Sequence, residues 1–264
     1  MRNIFGSFDN ADCAGKYIES MSKVTNAQFY IIQYMRDGKF DDVQFRENVK
    51  LYRMDKAYPG NTGKMNDWYG MYQKLNIPED DWCIFTDMHD IVFQEDIPRL
   101  DDKMLAMVVS EDKRFGDIGF WKNILPETMH DWWAYNCGVF AMNAVIFEGY
   151  LLNINLSYQD MLQWKDQFSA SILGLNFPFN SQYVTDTIRY NVGSIFNGIA
   201  DTYIFNEYVN SLEFVGLWRD ACCYNFSIEV GEAKMQHDKL CKPDGIPFAI
   251  AHYNGKNPIT EVQK

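Results

Sequence analysis

Trp82-Cys83-Ile84-Phe85-Thr86 is an unbroken, mostly apolar run that empties into Asp87-Met88-His89-Asp90 before Ile91-Val92-Phe93 resumes it. A short run of this kind, bounded by an acidic turn, reads as a strand buried on both faces. Working outward, Asn3–Phe8, Gln28–Met35, Val49–Met54, Met104–Val109 and Gly138–Met142 read the same way. Between them lie helical spacings. Cys13–Lys23 carries Tyr17, Ile18 and Met21, and Lys64–Leu75 sets Trp68, Met71, Tyr72 and Leu75 on one face after a turn cluster, Tyr58–Gly63. Tyr158–Leu173 repeats the pattern with Met161, Leu162, Trp164 and Phe168. Strands alternating with helices predict an α/β fold with a mixed, mostly parallel central sheet flanked by helices. With no repeat, low-complexity tract or linker, one domain over residues 1–264 is expected.

Composition narrows the classes of function. An apolar share of 47% is far above that of a disordered chain. No apolar run approaches the roughly 18 residues of a membrane span. Residues 1–10 lack the apolar core of a secretory signal, so a cytoplasmic protein or an excised domain, with no membrane partner, is expected. The 36 acidic against 24 basic residues give a net charge of −12, which repels a phosphate backbone at long range and disfavours DNA as a partner. The six cysteines contain no C-x-x-C pair and read as reduced, mostly buried thiols rather than a disulfide or zinc framework.

The acidic turn carries the chemistry. Ligands of open α/β sheets gather at the carboxyl ends of strands, and Asp87 and Asp90 leave such an end three residues apart. Two carboxylates so placed can converge on a hard divalent cation, Mg²⁺ or Mn²⁺, which in turn bridges phosphate oxygens. Alternatively, Asp87 caps the strand and Asp90 merely solvates a turn. Gly60-Asn61-Thr62-Gly63-Lys64 opens a helix, where backbone N–H groups and an ammonium could face a phosphate, although it is not a Walker A sequence. Late in the chain, Ala249-Ile250-Ala251 runs into His252-Tyr253-Asn254-Gly255-Lys256. His252 could add a nitrogen ligand to the same cation, or serve as a hydrogen-bonded structural residue.

Taken together, these segments resemble a metal-dependent GT-A glycosyltransferase, and in particular the glycosyltransferase domain of procollagen lysyl hydroxylases and related collagen galactosyl- and glucosyltransferases. The F-x-D-x-x-D-[IV]-[IV]-F segment of that family is matched by Phe85 to Phe93, and its late H-x-N-G by His252 to Gly255. Its glycine-rich stretch ending in lysine is matched loosely by Gly60–Lys64, and its sugar-side N-x-G-x by Asn136–Val139. Val109-Ser110-Glu111 is similar to the family's strand leading to the acceptor side. The matches run in order from about residue 60 to 256. One departure stands out: Asn180-Ser181-Gln182 replaces the family's consecutive aspartates before a glutamine.

The resemblance implies a GT-A-like domain, with a nucleotide-sugar half over about residues 1–110 and an acceptor half over about 111–264. It implies Asp87, Asp90 and His252 as ligands of Mn²⁺ (or Mg²⁺) and a UDP-sugar as donor. Ser7 and Asp9 at the end of the first strand would lie beneath the nucleoside. Trp68 would stack on the uracil, unless its helical stripe is simply core. Gly63, Lys64, Asn136, Gly138, Asn254, Gly255 and Lys256 complete the donor site. Glu111, Asp112 and Asp186 are the candidates for activating an acceptor hydroxyl, which is placed on a saccharide, a protein or a hydroxylated nucleobase. Competing readings are a metal-dependent phosphohydrolase or nucleotidyltransferase using the same aspartates, and a non-catalytic nucleotide-binding module. The metal ligands are expected near the surface, so that replacing Asp90 or His252 would spare the fold.

Overall fold

A computed structural model describes residues 1–118, 127–171, 202, 204–219, 221–224 and 233–253. Its central sheet has seven strands: β1 (Arg2–Phe8), β2 (Gln28–Met35), β3 (Val49–Ala57), β4 (Trp82–Thr86), β6 (Ala106–Arg114), β7 (Trp133–Asn143) and β8 (Val215–Leu217). They lie in the order β3-β2-β1-β4-β7-β6-β8. Pairing is parallel for β1 with β2 and β4, β2 with β3, and β6 with β8, and antiparallel only for β7 with its two neighbours. The mixed, mostly parallel sheet expected from the sequence is therefore present, flanked by helices on both faces.

Alternation along the strands explains both faces. Ile4, Phe29, Ile31, Ile84 and Ala141 point to one side, where they pack with Tyr17 of α1 (Ala11–Ser20). Phe5, Tyr30, Ile32, Phe85 and Met142 point to the other, against Trp68 of α2 (Gly60–Tyr72) and Phe147 and Tyr150 of α3 (Ala144–Ser171). Each large side chain removed from water here contributes roughly 2–3 kcal/mol. A small sheet, β5 (Ile91–Phe93), β12 (Ile250–His252) and β9 (Cys222–Tyr224), lies on the α1 side, with β12 in the middle. The hairpin of β10 (Lys234–Gln236) and β11 (Lys239–Cys241) stands beside it.

Two boundaries differ from expectation. Helix α2 begins at Gly60, so the glycine-rich segment forms its first turn and not a loop ahead of it. Helix α3 begins at Ala144, well before Tyr158. Val145-Ile146-Phe147 continues the apolar character of β7 and hides the change of period. The turn is made by Asn143, whose Oδ1 accepts the Ile146 N–H at 2.9 Å.

The strand order also positions a site. From β1 the chain steps outward through β2 and β3, then returns to place β4 on the other side of β1. Such a reversal opens a crevice beyond the carboxyl ends of the two central strands. Asp9 follows β1 and Asp87 follows β4, at the mouth of that crevice.

Candidate functional site

The Asp87–Asp90 turn is seated from below. Met88 is buried, and its side chain fills the notch left by Gly6 of β1, where a Cβ would lie 2.8 Å from Met88 Cγ. Thr86, just before the turn, is held through its hydroxyl, 2.6 Å from Tyr17 Oη. Tyr17 is wholly buried, which pushes its phenol well above the ordinary range and keeps it neutral. From the side, the Asp87 N–H donates to Gly138 O at 2.8 Å, continuing the β4–β7 ladder into the turn.

Strand β7 is bulged at this point. Against β6, Val108 pairs with Phe140 but Val109 pairs with Asn136, so the register jumps past Cys137, Gly138 and Val139. Bulges of this kind re-aim side chains beside functional sites. Asn136 Oδ1 tightens this one by accepting the Gly138 N–H at 2.8 Å. A Cβ on Gly138 would stand 2.8 Å from His252 Cε1, 3.0 Å from Asp87 Oδ2 and 3.1 Å from Asn136 Oδ1. Three polar side chains thus crowd a point that only glycine leaves open.

His252 reaches this point through β12, which pairs His252 with Ile91 of β5, the residue after Asp90. Its Nε2 lies 3.4 Å from Asp90 Oδ2, and the Tyr253 N–H donates to Asp90 O at 2.8 Å. Asp90 and His252 are 9% and 1% exposed, so the expectation of surface ligands is corrected: both stand inside the protein. Strand β12 covers them, a packing invisible in the local sequence of either. The other carboxylate, Asp87, is partly exposed and ion-paired through Oδ1 with the buried ammonium of Lys64. Lys64 also lies 5.2 Å from the centre of the Phe85 ring.

The remaining expected site residues fall into three groups. Asn136, Gly138, Lys64 and, one residue before it on α2, the buried Gly63 lie at or beside the convergence. Asp9 borders it, with Oδ1 3.8 Å from His89 Nε2 across the β1–β4 crevice. Ser7 and Trp68 are corrections: Trp68 is fully buried, packs edge-on against Phe5 and Tyr52, and donates from Nε1 to Ser7 Oγ at 3.0 Å. Its ring offers no open face to a uracil, and the Ser7 hydroxyl is turned into the same core. Glu111 and Asp112 belong to β6, where pairing slips between Ser110 and Arg114, but their side chains lie outside the described residues. Asp186, Asn254, Gly255 and Lys256 lie outside them altogether.

One residue escaped the sequence reading. Gln94, directly after β5 and 3% exposed, donates through Nε2 to Leu240 O at 2.9 Å and Phe248 O at 2.8 Å. Its Oε1 accepts the Leu240 N–H at 2.7 Å. It clamps the late chain to β5 and so delivers β12. A polar residue closing the apolar Ile91–Phe93 triplet was the available signal.

Carboxylates and an imidazole are a donor set suited to Mn²⁺ or Mg²⁺, and the cradle at Gly138 brings Asp87 and His252 to one place. Among the described residues, no three His, Cys, Asp or Glu side chains stand close enough together to hold a metal ion; Asp87 is engaged by Lys64 and Asp90 by His252. The donor types suit a divalent cation only where it displaces these internal pairings. Also among the described residues, no helix is long and apolar enough to cross a membrane. Neither protein-family models nor curated proteins give a match to this chain.

Proposed function

We propose that this protein is a metal-dependent glycosyltransferase of GT-A type, moving a sugar from a UDP-sugar to a hydroxyl acceptor. The observation that carries the reading is the meeting of Asp87 and His252 around Gly138, beside the crevice where strand order reverses, with Asp90 paired to the same imidazole. Asp87, Asp90 and His252 would hold Mn²⁺ or Mg²⁺. When bound, that cation supplies Lewis-acid neutralisation of a diphosphate leaving group. The protein's own part is to hold the diphosphate and keep the donor away from water. Lys64, Asn254 and Lys256 would give it positive charge and donors, and Gly138 leaves room for Asp87 and His252 to meet. Glu111, Asp112 and Asp186 are assigned to orienting the acceptor hydroxyl and taking its proton. A saccharide, a protein or a hydroxylated nucleobase can present that hydroxyl; the net charge of −12 weighs against duplex DNA. A reducing, cytoplasmic setting goes with this reading, supported by Cys13, Cys83 and Cys241, none of them in a disulfide.

A panel of UDP-sugars with Mn²⁺, followed by mass spectrometry with and without acceptor pools, tests the reading. UDP release with the sugar appearing on an acceptor is the expected result. Sugar phosphate in every pool would mark a phosphohydrolase or nucleotidyltransferase, and binding without any turnover a nucleotide-binding module. His252→Ala is expected to abolish Mn²⁺-dependent UDP binding, measured by calorimetry. It also lowers the melting temperature, because Asp90 loses its buried partner.

A further inference from the structure

Resting on the nucleotide-sugar reading, we infer that Lys64 is a built-in counter-ion, holding the cation's place at Asp87 until a diphosphate draws it away. The ammonium sits on the first turn of α2, within a side chain only 6% exposed. A buried ammonium is stable only where a negative partner repays its lost hydration. That partner is Asp87 Oδ1, and the face of Phe85 lies 5.2 Å away. The second carboxylate oxygen, Oδ2, is the one at the Gly138 cradle with His252. One carboxylate thus joins the lysine to the candidate metal position.

A divalent cation bound at Asp87 would set two positive charges against the ammonium at close range, where the surroundings screen poorly. Lysine and cation are therefore competitors for one carboxylate. A diphosphate changes the balance, because its oxygens offer Lys64 another anion within reach of a flexible four-carbon stem. Cation and nucleotide then favour each other's binding, and the coupling is reciprocal. The pairing also keeps the partly exposed Asp87 charge-compensated between cycles, so the turn needs no resident metal to hold its shape.

Titration calorimetry at fixed pH with wild type, Lys64→Met and Lys64→Gln, with and without UDP, tests this. Circular dichroism first identifies the variant that keeps the native fold; Lys64→Gln, which retains hydrogen-bonding capacity, stands in if Lys64→Met unfolds. Without nucleotide, the neutral variant is expected to bind Mn²⁺ about tenfold or more tighter than wild type, since the competing pairing is gone. The enhancement of Mn²⁺ binding by UDP is expected to shrink by a comparable factor. Equal Mn²⁺ affinity in wild type and variant without nucleotide, with UDP still promoting uptake by wild type, overturns the role of Lys64 and leaves the glycosyltransferase reading standing. Failure of wild type to take up Mn²⁺ even with UDP overturns both.

Discussion

A glycine decides whether the site can close. Gly138 lies in the β7 bulge with Asp87, Asn136 and His252 within contact of the missing methyl, and all three are held by backbone or buried pairing. Gly138→Ala is expected to displace the imidazole or Asp87, abolish Mn²⁺-dependent nucleotide binding and cost about 1–3 kcal/mol of stability. Calorimetry and urea unfolding read the two effects separately. Cysteine chemistry offers a second check. Burial pushes the Cys83 thiol up to about 12, whereas Cys13 is exposed. Because the thiolate is the reactive form, Cys13 is expected to be alkylated at pH 8 and Cys83 to resist until the protein unfolds, as peptide mapping would show. At this scale the sequence was a partial guide. The types and spacing of Asp87, Asp90 and His252 singled them out, and the structure pairs Asp90 with His252 and brings Asp87 and His252 together at Gly138, but the stripe containing Trp68 reads alike for core and for ligand. Only the partners of its ring decide the matter, and those come from β1 and β3.

Elements were legible where period and punctuation agreed. All six expected strands form; five are short apolar runs ended by polar or turn residues, whereas β3, with Lys50 and Arg53 inside it, is an edge strand with no buried residue. The start of α3 was not legible, since an apolar strand runs into an apolar helix with only Asn143 between them. Asn143→Ala therefore removes the capping acceptor for Ile146 and is expected to cost about 1 kcal/mol in urea unfolding. Strands β5, β8, β9, β10, β11 and β12 span three residues each, too few to show alternation. Their identity comes from partners, as when β12 finds β5 on one side and β9 on the other.

Across the whole molecule, the chain returns twice to the same edge. Gln94 secures the second return by bonding the backbone of Leu240 and Phe248. Gln94→Ala would strand buried backbone groups on both segments, at an expected cost of roughly 2–4 kcal/mol. Loosening β12, it is also expected to weaken Mn²⁺ binding without touching any ligand; denaturant melts and calorimetry on the same sample would show both. The two-faced sheet could be read from the sequence because its strands carry their own apolar signature. Assembly of the site could not, because it depends on which late strand lies beside Ile91. That dependence has a consequence for synthesis of the protein. His252 enters between β5 and β9, both translated earlier, so a growing polypeptide owns its acidic pair long before its imidazole. Under the proposed chemistry, a product terminated before His252 would lack the imidazole and leave activated sugars untouched.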